Sequence, residues 1–151
     1  MKKTISVLAI CILCIISCTI EPSNNGGLDG YWCLTEIDSL QNGNSVDYHS
    51  ARVFWAFQGS IMQTQYFEAE GGDKYTRLGY YFSKEGDRLT VSNPYLSSDR
   101  TTNDRAITDD SLFVLRPLGI NSREESFTIE KLTGSNMILR NDILRLHFEK
   151  Y

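Results

Sequence analysis

The sequence lacks a basic excess: 15 Lys and Arg stand against 19 Asp and Glu, a net charge of −4. That balance excludes a strongly cationic nucleic-acid binder, whose phosphate contacts need a basic face. Histidine is scarce, with only His49 and His147, and no Cys or His lies at metal-ligand spacing. There is no Gly-x-Ser-x-Gly nucleophile elbow and no glycine-rich phosphate cradle; Gly71-Gly72 reads as a turn. Asp99, Asp104, Asp109 and Asp110 gather in a polar stretch without EF-hand spacing and read as solvated carboxylates. Nothing in the sequence places Glu36 and Asp38, or Glu124 and Glu125, as an acid–base pair. The expectation is therefore no enzyme, no metal and no cofactor. No segment sustains a helical stripe, and no apolar run reaches the roughly 20 residues of a spanning helix.

What apolar run there is lies at the N-terminus. Lys2 and Lys3 precede Ile5–Ile16, and Ser17-Cys18 follow. A short positive region and a short apolar run make a secretory signal over residues 1–17. Ile15-Ile16-Ser17-Cys18 resembles the bacterial lipobox, which implies cleavage before Cys18 and lipidation of its thiol. The alternative is an ordinary secreted protein with a cysteine at the cleavage site. With Thr19 rather than aspartate after the cysteine, the resemblance implies an outer-membrane lipoprotein of the cell envelope, leaflet open. Residues 18–27, rich in Ser, Asn and Gly, read as a lipidated flexible tether. Cleavage removes two cations and moves the net charge to −6 over 134 residues. It also leaves Cys33 as the one thiol without a lipid, so no intramolecular disulfide is expected. Between Trp32 and Leu34, that thiol reads as buried and inert.

Residues 28–151 read as short strands punctuated by turns. Tyr31–Asp38 sets Trp32 and Leu34 on one face and then shifts phase to Ile37, which predicts a bulge. Arg52–Gln58 and Ile61–Glu68 flank Gly59-Ser60 and predict a hairpin. Residues 77–84 and 88–92 flank Gly86-Asp87, and 93–110 is the longest stretch without period, expected as a loop. Ser111–Arg116 fits either a short strand or a helical turn. Residues 126–133, 137–140 and 143–151 complete a set of roughly eight strands. Such spacing predicts an all-β antiparallel barrel with little helix, closed by pairing Trp32's strand with the C-terminal one.

Leu28-Asp29-Gly30-Tyr31-Trp32 resembles the Gly-x-Trp opening of lipocalin and calycin barrels. The runs 115–120, 127–133, 137–140 and 146–151 look like the small lipocalin-like lipoproteins of Gram-negative gut anaerobes. That resemblance implies a closing Trp32 stacked on a late basic residue, for which Arg140 and Arg145 are the candidates. It implies no established activity. Trp55, Tyr66, Tyr80 and Phe82 concentrate in the central strands. They fit core packing, or the lining of a cavity for a small apolar or amphipathic ligand. Both faces of residues 53–57 are apolar, so the outer set needs cover. The two functions expected are a membrane-anchored ligand-binding barrel, or an envelope module binding a protein partner through loop 93–110.

Overall fold

The computed structural model describes residues 23–67, 75–97 and 104–151. The signal segment, Cys18 and the start of the tether lie outside these residues. A 3₁₀ turn at Gly26–Leu28 leads into β1 (Gly30–Ser39). There follow β2 (Ser45–Asp47), β3 (Val53–Gln58), β4 (Ile61–Phe67), β5 (Tyr75–Glu85) and β6 (Arg88–Leu96). Next come β7 (Arg105–Ala106), two 3₁₀ turns (Asp109–Val114 and Arg116–Leu118), β8 (Glu124–Leu132), β9 (Asn136–Arg140) and β10 (Leu144–Lys150).

Eight of these strands form one antiparallel barrel in the order β10-β9-β8-β6-β5-β4-β3-β1, closed by β1 against β10. The two shortest strands, β2 and β7, add to the margins of β1 and β6. Closure joins the two ends of the chain, with Trp32 opposite Lys150 and Leu34 opposite Phe148. Alternation explains the interior. Trp55, Phe57, Met62, Leu78, Tyr80, Leu89, Val91, Phe127, Leu139, Leu146 and Phe148 all point inward and are buried.

The predicted bulge in β1 is present. The register slips between Leu34 and Glu36, so Thr35 is the extra residue and both it and Ile37 are buried. A second slip lies between Ile129 and Lys131, which accounts for Leu132 falling out of phase.

Two expectations need correction. The loop expected at 93–110 is in part a strand, since β6 runs on to Leu96. Asn93 takes a left-handed φ of 51°, and Asn93-Pro94 form a bulge between the Ser92–Tyr81 and Tyr95–Gly79 pairs. A bulge tolerates proline's missing N–H, so the strand survives a residue that ordinarily ends one. The ambiguous Ser111–Arg116 lies within 3₁₀ turns rather than a strand.

Tether residues 23–27 are the second correction, because they are held against the barrel. Ser23 donates to the Asp29 carboxylate, and Asn25 Nδ2 donates to Asp29 Oδ1 at 2.7 Å and to the Gly59 carbonyl at 2.8 Å. The same Asn and Ser that suggest a flexible tether hydrogen-bond to Asp29 and to the β3–β4 turn here.

Candidate functional site

The barrel has two unlike ends. At one, Leu28 is fully buried beneath the 3₁₀ turn, and Trp32 Nε1 donates to its carbonyl at 2.8 Å. Lys150 Nζ lies 4.8 Å from the Trp32 ring centroid and donates to the Asp29 carbonyl at 2.7 Å and the Gly27 carbonyl at 3.3 Å. One ammonium thus joins the entering chain, the indole and the last strand. Arg140 and Arg145 are not the partners of Trp32. Both face outward and meet Glu130, Arg140 at 3.7 Å and Arg145 at 2.8 Å.

Gly30 explains why the motif needs glycine. Its φ is +123°, and a Cβ there would lie 2.8 Å from Lys150 Cε. Only a residue without a side chain takes that backbone and lets the lysine pass.

The opposite end is covered by the connection from β7 to β8. Ile107, Leu115, Leu118 and Ile120 are buried in it, and Trp55 Nε1 donates to the Leu118 carbonyl at 3.2 Å. Gly119 takes a φ of +79°, and a Cβ on it would lie 2.8 Å from Leu146 Cδ2. Entering β8, Glu125 accepts from the Asn121 and Ser122 backbone N–H groups and from the Asn141 side chain. A carboxylate so supplied with donors fixes the rim.

All four candidate lining residues belong to the interior. Trp55 and Tyr80 are fully buried, Phe82 nearly so, and Tyr66 is partly buried against the same core. Trp55 packs on Phe57, Phe127 and Phe148 at centroid separations of 6.2, 5.8 and 5.0 Å. That part of the interior is filled.

The polar content is what sets the interior apart. Tyr80 Oη and Thr64 Oγ1 are both buried and lie close enough to interact with each other, and neither has a well-formed hydrogen bond. Burial pushes the Tyr80 phenol well above its ordinary range; the neighbouring Thr64 hydroxyl opposes this, and the Glu125 charge adds to it. Tyr80 is therefore a neutral donor and acceptor at any physiological pH. Thr64 carries no signal as a lone residue, but it shares the β4 inward phase with Met62 and Tyr66.

Outside the barrel, closure creates a group that sequence distance conceals. Glu36 pairs with His147 across the seam, and the ligand atoms of Glu36, Asp38 and His147 lie within 4.8 Å of one another. His147 Nε2 meets Asp38 Oδ2 at 2.8 Å, and Ser45 donates to the same carboxylate. Those contacts hold the Asp38 carboxyl below its usual range, the Ser45 hydroxyl contributing most. His49 and Glu149 border the same open groove of about 280 Å³. These residues could hold a cation, although Asp38 and the Nε2 of His147 are already engaged with each other.

Cys33 is half-buried, and desolvation raises its pKa, with Glu149 adding to the effect. Raising a thiol pKa depletes the reactive thiolate. Iodoacetamide should therefore modify Cys33 more slowly than glutathione at pH 8, with the gap narrowing above pH 9. Faster reaction than glutathione would contradict the assignment of an inert thiol.

A family model for a lipocalin-like domain matches residues 11–151. The chain belongs to that lipocalin-like family. The crystal structure of a lipocalin-like protein from Bacteroides uniformis superposes with a TM-score of 0.59 at 23% identity, covering 83% of this chain and all of that one. An uncharacterized protein from Bacteroides eggerthii gives the same TM-score at 20% identity, covering 82% of this chain and 99% of that one. At these identities the likeness to both is one of fold. No curated protein is significantly similar to the chain.

Proposed function

We propose that this lipocalin-like protein is a binding protein rather than an enzyme, anchored in the outer membrane through lipid on Cys18. Its barrel takes a small amphipathic molecule with an apolar body and an uncharged hydroxyl or carbonyl head. The observation that carries this reading is the pair of neighbouring buried hydroxyls, Thr64 Oγ1 and Tyr80 Oη, without a well-formed hydrogen bond inside an apolar wall. An unpaired buried polar group costs about 1–3 kcal/mol. A ligand that hydrogen-bonds to both would recover that cost on binding. Burial, the main cause of the raised Tyr80 pKa, also disfavours an anionic head, and the Glu125 charge acts in the same direction.

The test compares 1-decanol with decanoate on the full-length lipidated protein, following tryptophan fluorescence. Decanol should bind saturably and decanoate at least tenfold more weakly at pH 7.5. Tyr80→Phe and Thr64→Val should each weaken decanol binding by about 2–12-fold, the loss of one net hydrogen bond of 0.5–1.5 kcal/mol. Each should leave the unliganded protein as stable as before or more so. Equal affinity for both probes, or none for either, would refute the reading.

A second reading is favoured by Phe113, which stands 67% exposed on the connection to β8. It makes that connection a contact surface for an envelope protein, with Phe113 as its anchor.

A further inference from the structure

The outer surface of β3, β4 and β5 is aromatic as well, carrying Phe54, Phe67, Tyr75 and Tyr81. Cross-strand pairs run Gln58–Ile61–Tyr81 nearest the β3–β4 turn, then Ala56–Gln63–Gly79, then Phe54–Gln65–Arg77, with Phe67–Tyr75 beyond. Tyr95 lies across Gly79 so closely that a Cβ there would come within 2.1 Å of its ring. Tyr31 and Tyr151 extend the surface at centroid separations of 5.5 Å from Phe54. Ile61, Tyr75 and Tyr81 are 36%, 45% and 53% exposed.

The charged side chains nearest its centre are Arg52 and Arg77; Asp104 acts on Tyr95 at one margin, and Glu149 lies across Cys33 from Phe54 at the other. The chain has 19 Asp and Glu, yet none falls within residues 48–67, 75–84 or 88–98. Arg52 lies 3.7 Å from the Phe67 ring centroid, and Arg77 lies 4.9 Å from that of Tyr75. In an acidic protein, strands whose residues 53–67 and 75–84 carry aromatic, amide and guanidinium groups and no carboxylate of their own are marked off from the rest of the surface.

The position of the chain's exit says what would cover it. Asn25 is tied to the Gly59 carbonyl at the β3–β4 turn, beside Ile61. Cys18 lies five residues before Ser23. Five residues span at most about 18 Å. A lipid on Cys18 would keep the turn end of this face within that distance of the bilayer.

We infer that the outer face of β3–β5 rests on the anionic phospholipid surface of the membrane that holds the Cys18 lipid, an inference that depends on the anchoring proposed above. Tyr and Phe rings favour the headgroup level, and Arg52 and Arg77 face lipid phosphates. The barrel then lies on its side, with the β7–β8 connection kept free of the bilayer.

Intact mass first establishes whether Cys18 of the full-length product is acylated; an unmodified mass refutes the anchoring and this inference with it. The acylated protein is then placed in vesicles of phosphatidylethanolamine and phosphatidylglycerol, 3:1, and footprinted with hydroxyl radicals. Phe113 in the same molecule is the reference, being exposed on the free connection.

Relative to Phe113, Tyr75 and Tyr81 should be labelled at least fivefold less than in the variant carrying Arg52→Glu and Arg77→Glu. Should that variant fail to fold, wild type gives the same reading, because 0.5 M KCl in place of 0.05 M should restore labelling at least twofold. Acylated protein whose Tyr75 and Tyr81 are labelled alike in every condition overturns the docking while leaving the anchoring intact. Protection that rises with protein-to-lipid ratio and accompanies crosslinked dimers overturns it in favour of a second copy of the chain.

Discussion

Trp55→Ala is expected to cost about 3–5 kcal/mol of folding stability, the range for removing a buried large aromatic side chain. Trp55 is fully buried and its ring touches residues from β8 and β10 as well as its own strand. Truncation opens a cavity between three strands that meet only across the barrel. It also leaves the Leu118 carbonyl without its indole donor, inside the fold. Trp55→Phe retains most of the volume but removes the donor and part of the ring system, so about 1–3 kcal/mol is expected. Urea unfolding of the full chain measures both: the midpoint should fall and the slope should not change. Hydrogen exchange supplies the specific signature. In Trp55→Phe, amides of 115–120 should lose protection before those of β3 and β8. A cost under about 1 kcal/mol for the alanine variant would mean that Trp55 is not the pin between wall and connection.

The features legible in the sequence are those encoded by phase. Alternation locates the eight barrel strands, and the shift from Leu34 to Ile37 locates the bulge at Thr35. The Gly59-Ser60 and Gly86-Asp87 turns mark hairpins that are present. Phase also identifies the partner of Trp32. Leu144, Leu146, Phe148 and Lys150 share the inward phase of β10, whereas Arg145 sits on the other face. A basic residue chosen by charge alone is the wrong one; chosen by alternation, it is Lys150.

Asn93-Pro94 misleads for a different reason. Proline and a left-handed residue end most strands, and only the pairing of Tyr95 and Leu96 with Gly79 and Leu78 shows this one continuing. Thr64 and the Glu36–Asp38–His147 group lie beyond any local signal. The first is marked by its burial beside the Tyr80 hydroxyl, a property of three-dimensional packing. The second exists because barrel closure joins residues more than 100 positions apart. The outer aromatic face lies between these cases. The doubly apolar run 53–57 requires that something cover it, and the exit of the chain beside Gly59 supplies the direction from which cover would come.

Gly30→Val should be the most damaging substitution outside the core, at about 2–4 kcal/mol. Two causes act together, and they are separable. The backbone φ of +123° lies where L side chains rarely go, and no neighbouring movement relieves that. The new Cβ also meets Lys150 Cε at 2.8 Å, but this is the far end of a flexible side chain that can swing aside. Swinging aside removes the ammonium from the Trp32 ring and from the Asp29 and Gly27 carbonyls. Lys150→Met isolates that second loss, keeping the stem and deleting the charge; about 0.5–2 kcal/mol is expected for the cation–π contact. A double-mutant cycle of Gly30→Ala with Lys150→Ala, which removes Cε as well as the ammonium, then divides the effect. If backbone strain dominates, Gly30→Ala costs nearly as much in the Lys150→Ala background as in wild type. A cost that vanishes in the Lys150→Ala background would assign the glycine wholly to clearance for the lysine. A neutral Gly30→Ala in the wild-type background would show that the motif glycine is not required to close the barrel.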